Sequence, residues 1–321
     1  MVLTELVVAA ALAGGMPAFG MPALGVPAFG MPGAVRDTVQ PGPVVAEDIA
    51  VAPGETLRVT SQGQGAPVVL VSGLFGGAYG WRRVMPALAA QGHRVIAIDP
   101  LGTGWSTTPK RADYSLTAQA GRVGQVLDSL GVRRALLVAN AVGASMALRL
   151  ALQRPGLVRG IVSLDGGAAE TAATPGLKKA MRWAGLLKLF MGPGSVRKKV
   201  RAGMRENSAD TTWITPAVVE GYAGRAAANV GGAIDAFSGM AHAVEPAPLG
   251  PRLPTIHVPF RLLIGTAPHG AGVGPVEAAA LAAALPDFAV DSVPGAGQYL
   301  AEERPAAVVA AVTALARTAR P

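Results

Sequence analysis

Few side chains in this sequence can do covalent chemistry, and what is missing narrows the possibilities first. There is no cysteine, and there are four histidines, His93, His242, His257 and His269. Without a thiol there is no cysteine nucleophile, iron–sulfur cluster, thiolate metal site or disulfide scaffold. His93, His242 and His257 are scattered, with no carboxylate at metal-ligand spacing, so no metal and no other cofactor is expected. The one concentrated chemical feature is charge. Nine of the 28 lysines and arginines fall between Thr171 and Arg205, where there is no acid, leaving 19 basic against 20 acidic residues. The net charge of +8 is therefore one basic segment on a nearly neutral protein. Nucleic acid is not an expected partner, because no recognised module or aromatic stacking platform accompanies the charge.

These residues sit among elements that alternate. Half of the 321 residues are apolar, enough to bury a substantial core. Strands are predicted at Leu57 to Thr60, Pro67 to Ser72, Arg94 to Asp99, Arg134 to Ala139, Leu157 to Leu164, Phe260 to Ile264 and Phe288 to Val293. Helical patterns lie near Gly80 to Gln91, Ser115 to Leu130, Gly143 to Gln153, Pro275 to Leu285 and Pro305 to Ala316. Runs such as Val68-Val69-Leu70-Val71 and Ala135-Leu136-Leu137-Val138 are continuously apolar, as strands buried on both faces are. The alternation predicts an α/β fold, a mostly parallel sheet with helices on both faces, whose ligands bind at the carboxyl ends of the strands. From Gly166 to about Leu253 only helix-like stretches occur, so 167–253 reads as an inserted helical cap between core segments 46–166 and 254–321.

Five segments, in this order, resemble the α/β-hydrolase superfamily. Val69 to Trp81 (VLVSGLFGGAYGW) is similar to its oxyanion loop, and Ile96 to Ser106 (IAIDPLGTGWS) to the loop after the next strand. Leu136 to Pro155 (LLVANAVGASMALRLALQRP) resembles the strand, elbow and helix that carry the nucleophile. Gly265 to Pro275 (GTAPHGAGVGP) stands in place of the acid loop, and Pro294 to Pro305 (PGAGQYLAEERP) in place of the histidine segment. The resemblance implies the α/β-hydrolase fold and a serine, histidine and acid triad.

The positions of that triad carry something else. Ala141 stands where the nucleophile belongs, Pro268 at the acid and Gln298 at the histidine, and Ser72 replaces the histidine common in the oxyanion loop. A methyl group cannot attack a carbonyl, proline cannot orient a base, and an amide has no useful basicity near neutral pH. A relocated triad must draw on Ser145, Asp165 and His269. Ser145 lies one helical turn beyond Ala141, where its side chain is expected to point into packing. Asp165 ends a strand at a place where some members keep their acid; lacking a histidine partner, it reads as a cap or pocket wall. His269, beside the vacated acid position, is solvated on one reading and touches a ligand on the other.

The resemblance leaves a pocket. With the elbow geometry kept, the amides of Leu74 and Val142 converge on a carbonyl or carboxylate oxygen, and Gly73, Leu74, Asn140, Ala141, Val142 and Gln298 form a ligand site. The expected function is a hydrolase-like pseudoenzyme that binds a small apolar carbonyl or carboxylate compound, or a partner, in a capped pocket. The alternatives are an esterase-like or non-hydrolytic tailoring enzyme with an atypical catalytic set, and a pure interaction scaffold. Within the cap, Ala180 to Met191 is rich in large apolar residues, and Ser195 to Glu206 sets Val196, Val200 and Met204 one turn apart, with Gly192-Pro193-Gly194 as a hinge or turn between them. Three readings follow: cap helices with a solvated basic face, contact with an anionic membrane surface, or an acidic partner. Residues 1–45 read as a leader, with an apolar run, Leu6 to Gly15, short of the ~20 residues that span a bilayer. Three near-copies of one pentapeptide, MPAFG, MPALG and VPAFG, follow it. A disordered leader, a divergent export signal and an interaction segment stay open, and with them a cytoplasmic or an exported protein.

Overall fold

The computed structural model describes residues 42–270 and 272–319; the apolar run and the pentapeptides of the leader lie outside the described residues. One eight-stranded sheet organises the fold, in the order β1-β2-β4-β3-β5-β6-β7-β8. The strands are β1 (Val45–Ala52), β2 (Glu55–Gln62), β3 (Ala66–Val71), β4 (His93–Ile98), β5 (Ala135–Asn140), β6 (Val158–Leu164), β7 (Phe260–Gly265) and β8 (Phe288–Val293). β2 runs antiparallel to both β1 and β4, and the pairings from β4 through β8 are parallel. The mostly parallel α/β sheet predicted from the alternation is present. β1 was not predicted, because Glu47 and Asp48 interrupt its apolar residues and most of the strand is exposed; it is an edge strand held by pairing to β2.

Helices cover both faces: α1 (Met85–Ala90), α2 (Leu116–Ser129), α3 (Gly143–Gln153), α4 (Pro175–Met181), α5 (Ala184–Phe190), α6 (Pro193–Glu206), α7 (Pro216–Ala228), α8 (Val230–His242), α9 (Pro275–Ala284), α10 (Leu300–Glu303) and α11 (Pro305–Thr318). The unbroken apolar run of β3 serves both layers. Val69 and Val71 pack with Val123 and Leu127 of α2 and Leu150 of α3. Val68 and Leu70 pack with Leu88 of α1 and Val308 and Val312 of α11. The helix expected from Gly80 begins instead at Met85, with Pro86 in its first turn, where the missing N–H is no loss. Gly77–Trp81 form a separate 3-10 turn.

Helices α4 to α8 lie between β6 and β7. Of the expected Gly192-Pro193-Gly194 hinge or turn, Gly192 separates α5 from α6 in extended conformation, while Pro193 and Gly194 already belong to α6, where Pro193 at the first position pre-sets helical φ. The apolar stripe of α6, Val200 and Met204 with Val196, packs on Val218, Val219 and Ala223 of α7. Its hydrophobic face is therefore spent inside the protein.

Candidate functional site

β5 ends at Asn140 and α3 begins at Gly143, so the chain turns from strand to helix over Ala141 and Val142. Ala141 has φ of 48°, the left-handed region, which costs an L-residue about 1–2 kcal/mol. Two hydrogen bonds hold it there: the Ala141 N–H donates to the Leu164 carbonyl, and the Ala144 N–H to the Ala141 carbonyl, each at 3.0 Å. The flanking glycines are required by space. A Cβ at Gly143 would stand 2.6 Å from the Val71 carbonyl oxygen, and one at Gly166 2.1 Å from that of Ala141. A sharp elbow is thus built around a methyl group.

A cavity of about 260 Å³ opens at this turn, and Gly73, Leu74, Asn140, Ala141, Val142 and Gln298 all line it. Among the described residues, the backbone amides of Leu74 and Val142 donate to no acceptor, so two free N–H groups border one cavity. Gln298 is fixed by its own N–H, which donates to the Asn207 carbonyl at 2.8 Å. Pro268 is exposed on its loop, away from the cavity lining. Ser72 accepts the indole N–H of Trp81 at 2.9 Å. Ser145 is fully buried in helix packing, donates to the Ala169 carbonyl at 2.6 Å and accepts from Arg149, so its hydroxyl is not presented to a substrate.

Two sequence expectations need correction. Asp165 does have a histidine partner, and His269 is not a solvated loop residue: His269 Nε2 lies 2.7 Å from Asp165 Oδ2, with the carboxylate fully buried and the imidazole 10% exposed. Asp165 itself has φ of 51° and also accepts the Val273 N–H at 3.0 Å. The two residues stand 104 positions apart, so no local pattern could pair them. The other ring nitrogen, Nδ1, faces the Ala267 carbonyl at 2.7 Å. Both neighbours are acceptors, so both ring nitrogens are placed to donate, as an imidazolium does. The hydrogen bond to Asp165 and its charge raise the imidazole pKa above the usual value, against the opposing effect of burial. An imidazolium with both N–H bonds committed has no lone pair with which to act as a base. The pair clamps the loop before α9 onto the end of β6.

Sequence reasoning missed three further residues. Glu277, in the first turn of α9, reaches the cavity, and burial raises its carboxyl pKa while the Ala168 amide lowers it and the Asp165 charge adds to the rise. Asn207, buried at the end of α6, donates from Nδ2 to the Gly203 carbonyl at 2.9 Å and accepts the Gly270 N–H at 3.0 Å. With its carbonyl on Gln298, it staples the cap helix to both loops of the site. Asp99, nearly fully buried, borders a second, larger cavity of about 510 Å³ that shares Leu74 and Phe75 with the first. Its carboxylate accepts the Ala78 N–H at 2.6 Å and the Trp105 N–H at 2.8 Å, yet burial pushes its pKa up to about 6. Only the preference of asparagine and buried acids for special backbone positions could have marked these residues in advance, and that signal is weak. Among the described residues no group of three or more His, Asp or Glu could hold a metal ion.

Sheet order, elbow and cap together define an α/β-hydrolase-fold protein. Residues 66–200 match the family described as alpha/beta hydrolase fold. It is 35% identical over 141 residues to a 2-hydroxymuconate semialdehyde hydrolase of Pseudomonas sp. (strain CF600), covering 43% of this chain and 49% of that protein. It is 38% identical over 115 residues to a putative carbamate hydrolase RutD of Variovorax paradoxus (strain S110), covering 36% and 43%. The chain spans about half the length, or less, of these curated relatives. Among solved structures, the epoxide hydrolase CorEH without ligand has a TM-score of 0.70 at 19% identity, covering 87% of this chain and 100% of that one. A thermophilic esterase from Thermogutta terrifontis, malate bound, has a TM-score of 0.70 at 22% identity with the same coverage. Likeness at these identities is likeness of fold.

Proposed function

We propose that this protein binds a small apolar carbonyl compound at the elbow and does not hydrolyse it through an acyl-enzyme. The observation that carries this reading is Ala141, a methyl group at the apex of a strained elbow, beside the free amides of Leu74 and Val142. Acyl transfer needs a nucleophile and a base; Ala141 offers no lone pair, Gln298 no basicity, and both nitrogens of His269 are engaged. Two free N–H groups bordering one cavity suit a carbonyl oxygen. A carboxylate ligand fits less well, because Asp165 and Glu277 line the same cavity and oppose a second negative charge. Its binding improves as pH falls through the raised pKa of Glu277.

A second reading, an enzyme with an atypical catalytic set, is favoured by the relatives, which are named as hydrolases. Of the titratable groups lining the cavity, Glu277, whose carboxyl pKa burial raises, is the one through which such a set acts. Turnover of nitrophenyl esters, from short to long acyl chains, separates the two. Enzymes stripped of triad members keep a residual acceleration of roughly 10³–10⁴ over water. The parent and Ala141→Ser are expected at or below that level, since the serine has no base. Faster turnover by the parent, abolished by Ala141→Phe, overturns the binding reading.

A further inference from the structure

In the cap, Trp183 is 56% exposed, Leu186 41%, Leu189 75% and Phe190 69%. These four residues fall within eight positions at and along α5, whose inward residue, Leu187, is buried with Leu177, Met181 and Ile234. At 100° per residue the four fall within one arc of about 120° on the helix. Large apolar side chains scattered singly on a surface need no explanation, but a contiguous set of this size does.

The charge along this stretch of the chain has one sign. Lys178 and Lys179 occupy the last turn of α4, Arg182 precedes Trp183, and all three are exposed. Lys198, Arg201 and Arg205 of α6 are exposed as well. No acid occurs from Thr171 to Arg205, and two basic residues of the stretch, Lys188 and Arg197, reach acids only on α8 and α7, Asp235 and Glu220. The helix expected to be amphipathic, α6, has buried its apolar stripe on α7, so the free apolar face belongs to α5.

We propose that α5 is a docking surface for an anionic phospholipid membrane. Trp183, Leu186, Leu189 and Phe190 enter the interfacial layer, and Lys178, Lys179 and Arg182 meet the headgroup charge. Apolar side chains rimmed by basic ones match a bilayer surface on both counts. An acidic protein accounts for the charge but not for two aromatic and two leucine side chains held in water. Among the described residues no helix is long and apolar enough to cross a membrane, so the contact is peripheral. Thr174, which caps the start of α4, lines the elbow cavity; docking through α5 sets that cavity's cap against the bilayer.

The test is flotation of the full-length protein with phosphatidylcholine vesicles and with phosphatidylcholine–phosphatidylglycerol vesicles, at low and high salt. Binding to the anionic vesicles, weakened by salt, is expected. Leu189→Ser with Phe190→Ser lowers the partition coefficient by about tenfold or more, since one buried Leu or Phe contributes about 1.5–3 kcal/mol and 1.4 kcal/mol is tenfold. Lys178→Gln, Lys179→Gln and Arg182→Gln together weaken binding to anionic vesicles and leave any binding to neutral ones unchanged. All five positions are exposed, and melting curves check that the variants fold. Failure to float, equal binding to both vesicle types, or binding indifferent to the serine pair overturns the proposal. Binding to polyglutamate without vesicle binding assigns the surface to an acidic protein, and a dimer dissociated by the serine pair assigns it to a second copy of this chain.

Discussion

Replacing His269 by alanine leaves the fully buried Asp165 carboxylate with a single donor, the Val273 N–H at 3.0 Å. Breaking a buried ion pair from one side costs about 3–5 kcal/mol, most of it the stranded charge. The imidazole is 10% exposed, so water re-enters with little rearrangement and the lower end, about 3 kcal/mol, applies. For a domain of this size each kcal/mol moves the melting midpoint by about 2–4 °C, so His269→Ala is expected to melt roughly 6–12 °C below the parent. Asp165→Asn is milder, at about 1 kcal/mol. Its Oδ1 still accepts from Val273, its amide donates to a neutral His269, and asparagine tolerates the left-handed φ. The effect of pH has a fixed sign. The folded pKa of His269 lies above its unfolded value of about 6.5, so the stabilisation is complete below that pH and is lost as pH rises through the folded pKa. Thermal melts monitored by circular dichroism from mildly acidic to alkaline buffer read all of this. A His269→Ala midpoint within about 2 °C of the parent at pH 6, or a deficit that widens in alkali, would refute the assignment of His269 as a structural imidazolium.

Three other expectations follow from the same geometry. Ala141→Gly removes left-handed strain of about 1–2 kcal/mol and adds about 0.4–1 kcal/mol of unfolded-chain entropy, so the urea midpoint rises slightly at unchanged slope, where glycine for alanine ordinarily lowers it. Asn207→Ala leaves the Gly270 N–H without its acceptor and costs about 2 kcal/mol, with faster amide exchange at Gly270 and Gln298 as the local sign. Asp99, with a folded pKa of about 6 above the ordinary carboxylate value, favours the protonated folded state. Stability therefore rises as pH falls from neutrality through about 6, in the same direction as the His269 effect; a profile for Asp99→Asn as steep as that of the parent would count against Asp99 as the source.

How legible each part was depends on how far its cause lies along the chain. β3 and β5 announced themselves because a strand covered on both faces must be apolar throughout. The six cavity residues were named from the resemblance of their segments to the oxyanion loop, elbow and histidine segment of the α/β-hydrolase superfamily, and all six line one cavity. β1 escaped because an exposed edge strand needs only backbone pairing, which carries no side-chain signature. The Asp165–His269 pair escaped for a different reason. Each residue alone is ordinary, and only the fold of the loop before α9 over the end of β6 makes them partners. α5 and α6 show the same limit: periodicity singled out α6, but packing against α7 determined which of the two kept its apolar face free.

The elbow keeps its conformation with a methyl group at its apex. A non-glycine residue at φ of 48° is strained, and an alanine there gains nothing chemically from the strain. The turn nevertheless does not relax, because its N–H is tied to Leu164 on β6 and Gly143 is packed against the carbonyl of Val71 on β3. Both neighbours belong to central parallel strands, so loosening the elbow means disturbing the sheet core, which costs far more than about 1–2 kcal/mol of local strain. Sheet packing, and not the residue at the apex, dictates the conformation. The same backbone that presents a serine in a hydrolase therefore presents Ala141 here, and it still leaves the Leu74 and Val142 amides open beside the cavity. On the proposed reading, the methyl group at the apex offers no bond-making atom while the Leu74 and Val142 amides stay open beside the cavity. Binding of a carbonyl compound that is blocked by Ala141→Phe and unaffected by Ala141→Gly is the pattern this separation demands, and a ligand indifferent to Ala141→Phe would place binding in the larger cavity bordered by Asp99.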